Sequence, residues 1–174
     1  MSLDRRTRPA QDADERTMLA GVLEFQRETL ARKCEGLSPG QLAERAVAPS
    51  PMSLLGLIRH VTDVERGWFQ RALGGLDAPP LYYDEAANPD GDFDDVDAAT
   101  VGPAEVDATF ATWRATCARS HQIYTALPSL EATAHNRGRV LSARWVLLHL
   151  IEEYARHNGH ADLLRERIDG VTGE

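Results

Sequence analysis

Apolar residues recur at three- and four-residue spacing through Met18, Leu19, Val22, Leu23, Phe25 and Leu30, the rhythm of a helix buried along one side. Its start is predicted near Asp12 or Asp14 and its stop at Gly36. Ser38-Pro39-Gly40-Gln41 supplies a cap serine, a first-turn proline and a glutamine at the third helical position, so a short helix through Val47 is expected, closed by Pro49 and Pro51. Ser53 is a further cap type, and the run Leu54, Leu55, Leu57, Ile58, Val61, Val64, Trp68, Phe69, Leu73 predicts a second long helix ending at Gly74-Gly75. From Pro103, the positions Val106, Phe110, Trp113, Cys117, Ile123, Tyr124 and Leu127 predict a third, stopped at Pro128. A fourth runs from about Ser142 to Ile168, with Gly170 beyond it. No segment alternates with period two, so no strand is expected, and Asn136-Arg137-Gly138 reads as part of a connector.

Four long helices and one short one imply an all-α fold, a four-helix bundle, as a single domain over 1–174 with residues 1–11 disordered. Between 74 and 102 the helical pattern is broken by Pro79-Pro80, Asn88-Pro89-Asp90-Gly91 and a cluster of aspartates. This stretch reads as a long, solvated acidic loop, a candidate lid, because loops of this length in compact domains are usually functional or mobile. Asp90, Asp92 and Asp94 imitate the opening of a calcium loop, but Asp95 stands where glycine is needed and Val101 where the closing glutamate belongs.

Composition narrows the class of function. Hydrophobic residues make up 43% and charged residues 26% of the 174, the proportions of an ordinary soluble globular protein. The net charge of −8 has the wrong sign for a general binder of nucleic acid or anionic membranes, so neither is expected as a partner. No apolar run approaches the roughly 20 residues of a membrane-spanning helix. The polar start Met1-Ser-Leu-Asp-Arg-Arg lacks the apolar core of a secretory signal, which makes the cytoplasm the expected location. Cys34 and Cys117 have no partner at metal-binding or redox spacing and are expected to be reduced helix residues. Walker, G-x-G-x-x-G, G-x-S-x-G and H-E-x-x-H motifs are absent, which removes the main support for nucleotide, hydrolase and zincin readings.

The chemistry gathers on the fourth helix. At about 100° per residue, His149, Glu153, His157 and His160 project at roughly 0°, 40°, 80° and 20°, one stripe. Val146 and Leu164 project near 60°, so the stripe shares its face with aliphatic residues and is expected to point inward. Glu153 and His157, four apart, stand one turn above the other and can ligate a single ion. His60, the one histidine of the second helix, lies at an inward or boundary phase beside Val61 and Val64. His60, Glu153 and His157 together offer two nitrogens and one oxygen, the donor set of an open catalytic divalent-metal site, with zinc the first candidate and nickel or iron behind it. The competing reading is packing: Glu-x-x-x-His is also an ordinary intrahelical pair, and helical histidines often bond a neighbour. Against it stands the cost of placing several polar groups on an apolar face without partners. His149 and His160 are expected to line the pocket or to orient ligands, with plain packing the alternative; His121 and His135 are expected to be exposed, and Trp68, Trp113 and Trp145 to be core, with one of them walling the pocket as the alternative.

The segments Met52-Ser-Leu-Leu-Gly-Leu-Ile-Arg-His60-Val-Thr-Asp-Val-Glu65-Arg-Gly-Trp68-Phe69 and Arg144-Trp-Val-Leu-Leu-His149-Leu-Ile-Glu-Glu-Tyr-Ala-Arg-His157-Asn-Gly-His160 resemble the DinB superfamily of four-helix metalloproteins, and within it the actinobacterial branch of mini-circle-type proteins. The resemblance spans nearly the whole chain. It implies an up-up-down-down bundle, frequent dimerisation, and a metal held by one histidine of the second helix and a pair four apart on the last. Many relatives have histidine at both positions of that pair, whereas this chain has Glu153 at the first; that departure resembles the mycothiol-dependent maleylpyruvate isomerase branch, whose His, Glu, His ligands fall on His60, Glu153 and His157. The implied partners are a low-molecular-weight thiol such as mycothiol, an electrophilic substrate and a second copy of the chain. The leading expectation is therefore a metal-dependent enzyme that activates a thiol for transfer or isomerisation, its catalytic groups unassigned. The alternatives are a non-catalytic stress or detoxification protein that binds metal or a small ligand in the same cavity, and a structural dimerisation bundle.

Overall fold

Three of the four long helices begin on the capping side chain that the sequence advertises. The structure, a computed structural model, describes residues 6–172. Helix α1 (Glu15–Cys34) is capped by Asp14, whose Oδ1 accepts the Thr17 N–H at 3.1 Å. Ser38 and Gln41 form the reciprocal capping box of α2, which covers Pro39–Leu42 and stops short of the expected Val47. Ser53 caps α3 (Leu54–Glu65), and Ser142 caps α6 (Ala143–Asp169). Gly170 ends α6 at φ 77°, a left-handed conformation that glycine adopts without a Cβ clash. Helix α5 spans Pro103–Ala126, with its proline in the first turn.

These helices share one core. Leu23 and Leu30 of α1, Leu54, Leu55, Leu57, Ile58 and Val61 of α3, and Val146, Leu147, Leu150 and Tyr154 of α6 are wholly buried. Helix α1 packs mainly on α6, and α3 packs on both α5 and α6. The α3–α6 contact brings His60 to the stripe of α6. Of the stretch expected to be disordered, residues 1–5 lie outside the described residues; in 6–11, which is neither helix nor strand, Arg6 and Arg8 set their guanidiniums over the Phe25 ring, at 5.2 and 4.1 Å. No helix among the described residues is long and apolar enough to cross a membrane.

Three expectations are corrected. First, the second long helix is not α-helical to its end: after Glu65 it widens into a π-helical segment, Arg66–Leu73, where the Gly74 N–H reaches back five residues to the Phe69 carbonyl at 2.8 Å. The wider turn resets the side-chain phase, so that Phe69, Gln70 and Ala72 are buried while Trp68 and Arg71 turn to a cavity wall. Second, the fold is not purely helical. The connector forms an antiparallel hairpin of β1 (Thr133–Asn136) and β2 (Arg139–Ser142), with Asn136 paired to Arg139. Arg137 (φ 47°) and Gly138 (φ 77°) make the two-residue, doubly left-handed turn that matches strand twist. Strands of four residues with little burial leave no alternating signature to read.

Third, the 74 to 102 stretch is tied down rather than solvated throughout. The buried Asp63 carboxylate of α3 accepts the Leu81 and Tyr82 N–H groups, both at 2.8 Å, and Arg66 donates to the Pro79 carbonyl at 2.9 Å. Arg59 holds the Asp95 carbonyl at 3.0 Å. Between these anchors Gly91–Asp94 forms the short helix α4, with Gly91 and Asp92 buried. Phe93 seats against Gly56 of α3, where a Cβ would lie 2.7 Å from Phe93 Cδ1. Gly56→Ala is therefore expected to lower stability by about 1 kcal/mol or more, despite alanine's better helix propensity, because the ring must move off the helix. An unchanged urea midpoint would contradict this close packing.

Candidate metal centre

Helix α3 delivers His60, and α6 delivers Glu153 and His157 one turn apart. Each of the three offers a ligand atom, and these atoms all lie within 4.8 Å of one another. His157 Nε2 is 3.5 Å from Glu153 Oε2, and the His60 and His157 rings meet edge to face with centroids 4.7 Å apart. The three residues are close enough to share one cation at ordinary nitrogen and oxygen bond lengths after small side-chain movements.

Both imidazoles have the other ring nitrogen occupied. His60 Nδ1 is 2.7 Å from Asp92 Oδ2. A carboxylate only accepts, so Nδ1 donates to Asp92 and Nε2 is the nitrogen left to meet a cation. His157 Nδ1 is 3.3 Å from His160 Nδ1. Burial first, then repulsion from His60, His160 and Arg156, holds the His157 imidazole down to about 3, so it is neutral at pH 7 and able to donate a lone pair. Neutral, oriented imidazoles backed by a carboxylate are what a divalent cation requires of its histidines. The residues present therefore fit a divalent metal.

Asp92 is the residue that sequence reasoning missed. It belongs to the acidic stretch read as solvated, yet it is 4% exposed because α4 tucks it against α3. Asp90, a capping-type residue in the Asn88-Pro89-Asp90-Gly91 turn, was the available hint that a helix starts there. Asp92→Ala is expected to weaken metal binding by about 10- to 100-fold with helix content unchanged, since His60 loses the partner that sets its tautomer. Chelator competition would show it; affinity equal to wild type would remove Asp92 from the site.

The structure places His149 and His160 on either side of the cluster. His149 Nε2 is 3.8 Å from Glu153 Oε1, and its ring stacks on Trp145 at 4.8 Å and meets Trp68 edge-on at the same separation. The core reading holds for Trp113; Trp68 packs against the core and also walls a cavity of about 560 Å³ beside the cluster, as the alternative reading has it for one tryptophan, and the core reading is corrected for Trp145, which is 41% exposed on the same wall. That cavity reaches the cluster at His60 and Asp92. His121 and His135 are exposed. Both cysteines are free thiols, Cys34 pushed up to about 12 and Cys117 pushed up further, in each case mainly by burial, so neither offers a nucleophile at neutral pH.

A solved structure described as a conserved protein of locus from Enterococcus faecalis is similar to this chain with a TM-score of 0.63 and 15% identity, covering 91% of this chain and 99% of that one. At that identity the likeness speaks for the fold. No curated protein matches the chain. The family model for mycothiol-S-transferase matches residues 18–170, which takes in most of α1, the His60 helix, the hairpin and the whole of α6. The chain belongs to the mycothiol-S-transferase family, as its DinB-like sequence pattern leads one to expect.

Proposed function

We propose that this protein is a divalent-metal-dependent enzyme that transfers or isomerises through a low-molecular-weight thiol such as mycothiol, with His60, Glu153 and His157 as the metal ligands. The observation that carries the reading is the convergence of three ligand atoms within 4.8 Å on two facing helices, with His60 Nδ1 held by a buried aspartate. Family membership over residues 18–170 supports the thiol. Zinc suits the donor set best, with nickel or iron behind it. A bound divalent cation lowers the pKa of a thiol and makes it nucleophilic at neutral pH. The chain's own residues do the rest. Asp92 fixes the His60 tautomer, His160 braces His157, and the Trp68 and Trp145 rings, both packed against His149, wall the cavity where an electrophile would meet the thiol. In S-transfer the sulfur forms a bond to the electrophilic carbon, the leaving group departs with its electron pair, and the thiol proton passes to solvent.

The packing of α1 on α6 and of α3 on α5 is compatible with the up-up-down-down four-helix bundle that belongs to this proposal. The test is turnover of mycothiol with a fluorogenic alkyl halide by protein reconstituted with zinc, nickel or iron. The expected result is catalysis with at least one metal, lost on chelation. A rate no faster than the uncatalysed one with all three would favour a protein that binds metal without catalysis.

A further inference from the structure

The cavity beside His60 is lined by carboxylates that are mostly engaged and by guanidiniums that are mostly not. Asp63 accepts two backbone N–H groups, Asp92 is held by His60, and Glu85 pairs with Arg137. Asp90 remains. Against it stand Arg71 and Arg139, two cavity-lining arginines that make no hydrogen bond or ion pair among the described residues. In a chain of net charge −8, such unpaired cations in a concave site call for an explanation. Arg71 is directed along the wall: a Cβ on Gly67 would lie 3.2 Å from Arg71 Nη2, so the guanidinium lies over a position kept free of a side chain. Arg139 opens β2 directly after the Arg137-Gly138 turn, paired in register with Asn136, another lining residue. The remaining wall is apolar, made by Trp68, Trp145, Leu141 and Phe93.

We infer that the cavity takes a carboxylate-bearing substrate with an apolar body, its carboxylate held by Arg71 and Arg139 and its body against Trp68 and Trp145. The inference rests on the proposed function only in reading the cavity as the place of the electrophile. Guanidinium and carboxylate match as planar fork and acceptor, with half-buried Arg71 and exposed Arg139 placing the contact toward the cavity mouth. Two ionised hydrogen-bonding contacts are worth roughly ten-fold or more in affinity over an uncharged isostere.

The test is calorimetric titration with 2-naphthoate and its uncharged isostere 2-naphthamide, on metal-free and on zinc-loaded protein. Naphthoate is expected to bind about ten-fold or more tightly than naphthamide in both forms. In the Arg71→Gln/Arg139→Gln double variant that preference should fall to about two-fold or less, while naphthamide affinity stays at the wild-type value and so reports an intact cavity. Equal affinities in wild type, binding of neither probe, or a preference that survives the double substitution would overturn the inference; survival confined to the zinc-loaded form would place the carboxylate on the metal. The metal-free arm reads the arginines alone, so a failure of the metal proposal leaves this result standing.

Discussion

His157→Ala is expected to reduce thiol-dependent turnover to the uncatalysed rate while the circular dichroism of the protein stays that of wild type. The loss follows from geometry: His157 supplies one of two imidazole nitrogens in a three-residue cluster, and Glu153 and His60 alone hold a divalent ion poorly. Retention of the fold follows from what surrounds it. Helix α6 is fixed by Leu147, Leu150, Tyr154, Ala161 and Leu164, all buried against the other helices. The truncation also removes an imidazole that is crowded by two others, with ring centroids 4.7 and 5.3 Å away. Turnover that persists in the variant would remove His157 from the chemistry; collapse of the helix signal would instead assign it to the core.

Glu65→Ala is expected to cost about 3–5 kcal/mol of stability without touching the metal cluster. Glu65 is wholly buried and accepts two bonds from Arg27, from Nε and Nη2, both at 2.8 Å. Arg27 is itself 2% exposed. Its other carboxylate, Glu24 at 3.1 Å, is largely in solvent, so screening leaves it unable to replace Glu65. Truncating Glu65 strands a guanidinium in the core, beside Cys117 Sγ at 3.8 Å from Glu65 and the Trp113–Tyr154 hydrogen bond of 2.9 Å. In a chain of this size the loss corresponds to a fall in Tm of roughly 10 °C. Replacing both partners, Arg27→Met with Glu65→Leu, should recover most of it, because no charge is then left unpaired. A single variant within about 1 kcal/mol of wild type would mean that water reaches the pair.

What the sequence disclosed is what is local in the chain. Asp14, Ser38, Ser53, Ser142 and Gly170 act within four residues of themselves, and they mark their helix ends as expected. Helical phase likewise put His149, Glu153, His157 and His160 on one stripe and brought His60 toward it. The residues that were hidden depend on distant partners. Asp92 acquires its role from a contact 32 positions away, and Glu65, whose place between Val61 and Phe69 already implies burial, from an arginine 38 positions away. The π-helical widening at Arg66–Leu73 carries no proline to announce it, and the hairpin was masked by short strands and an arginine at a turn position that usually shows asparagine or glycine. Both features turn side chains into the cavity: Trp68 and Arg71 from one, Arg137 and Arg139 from the other.

The most direct measurement is metal content by elemental mass spectrometry on protein purified without a histidine tag, for wild type and for His60→Ala and His157→Ala. The account predicts about one zinc, nickel or iron per chain in wild type and background in both variants, as expected when a three-residue site loses a ligand. Wild-type protein that takes up no metal after reconstitution, or variants that keep it at full stoichiometry, would contradict the assignment of His60, Glu153 and His157 as a metal centre.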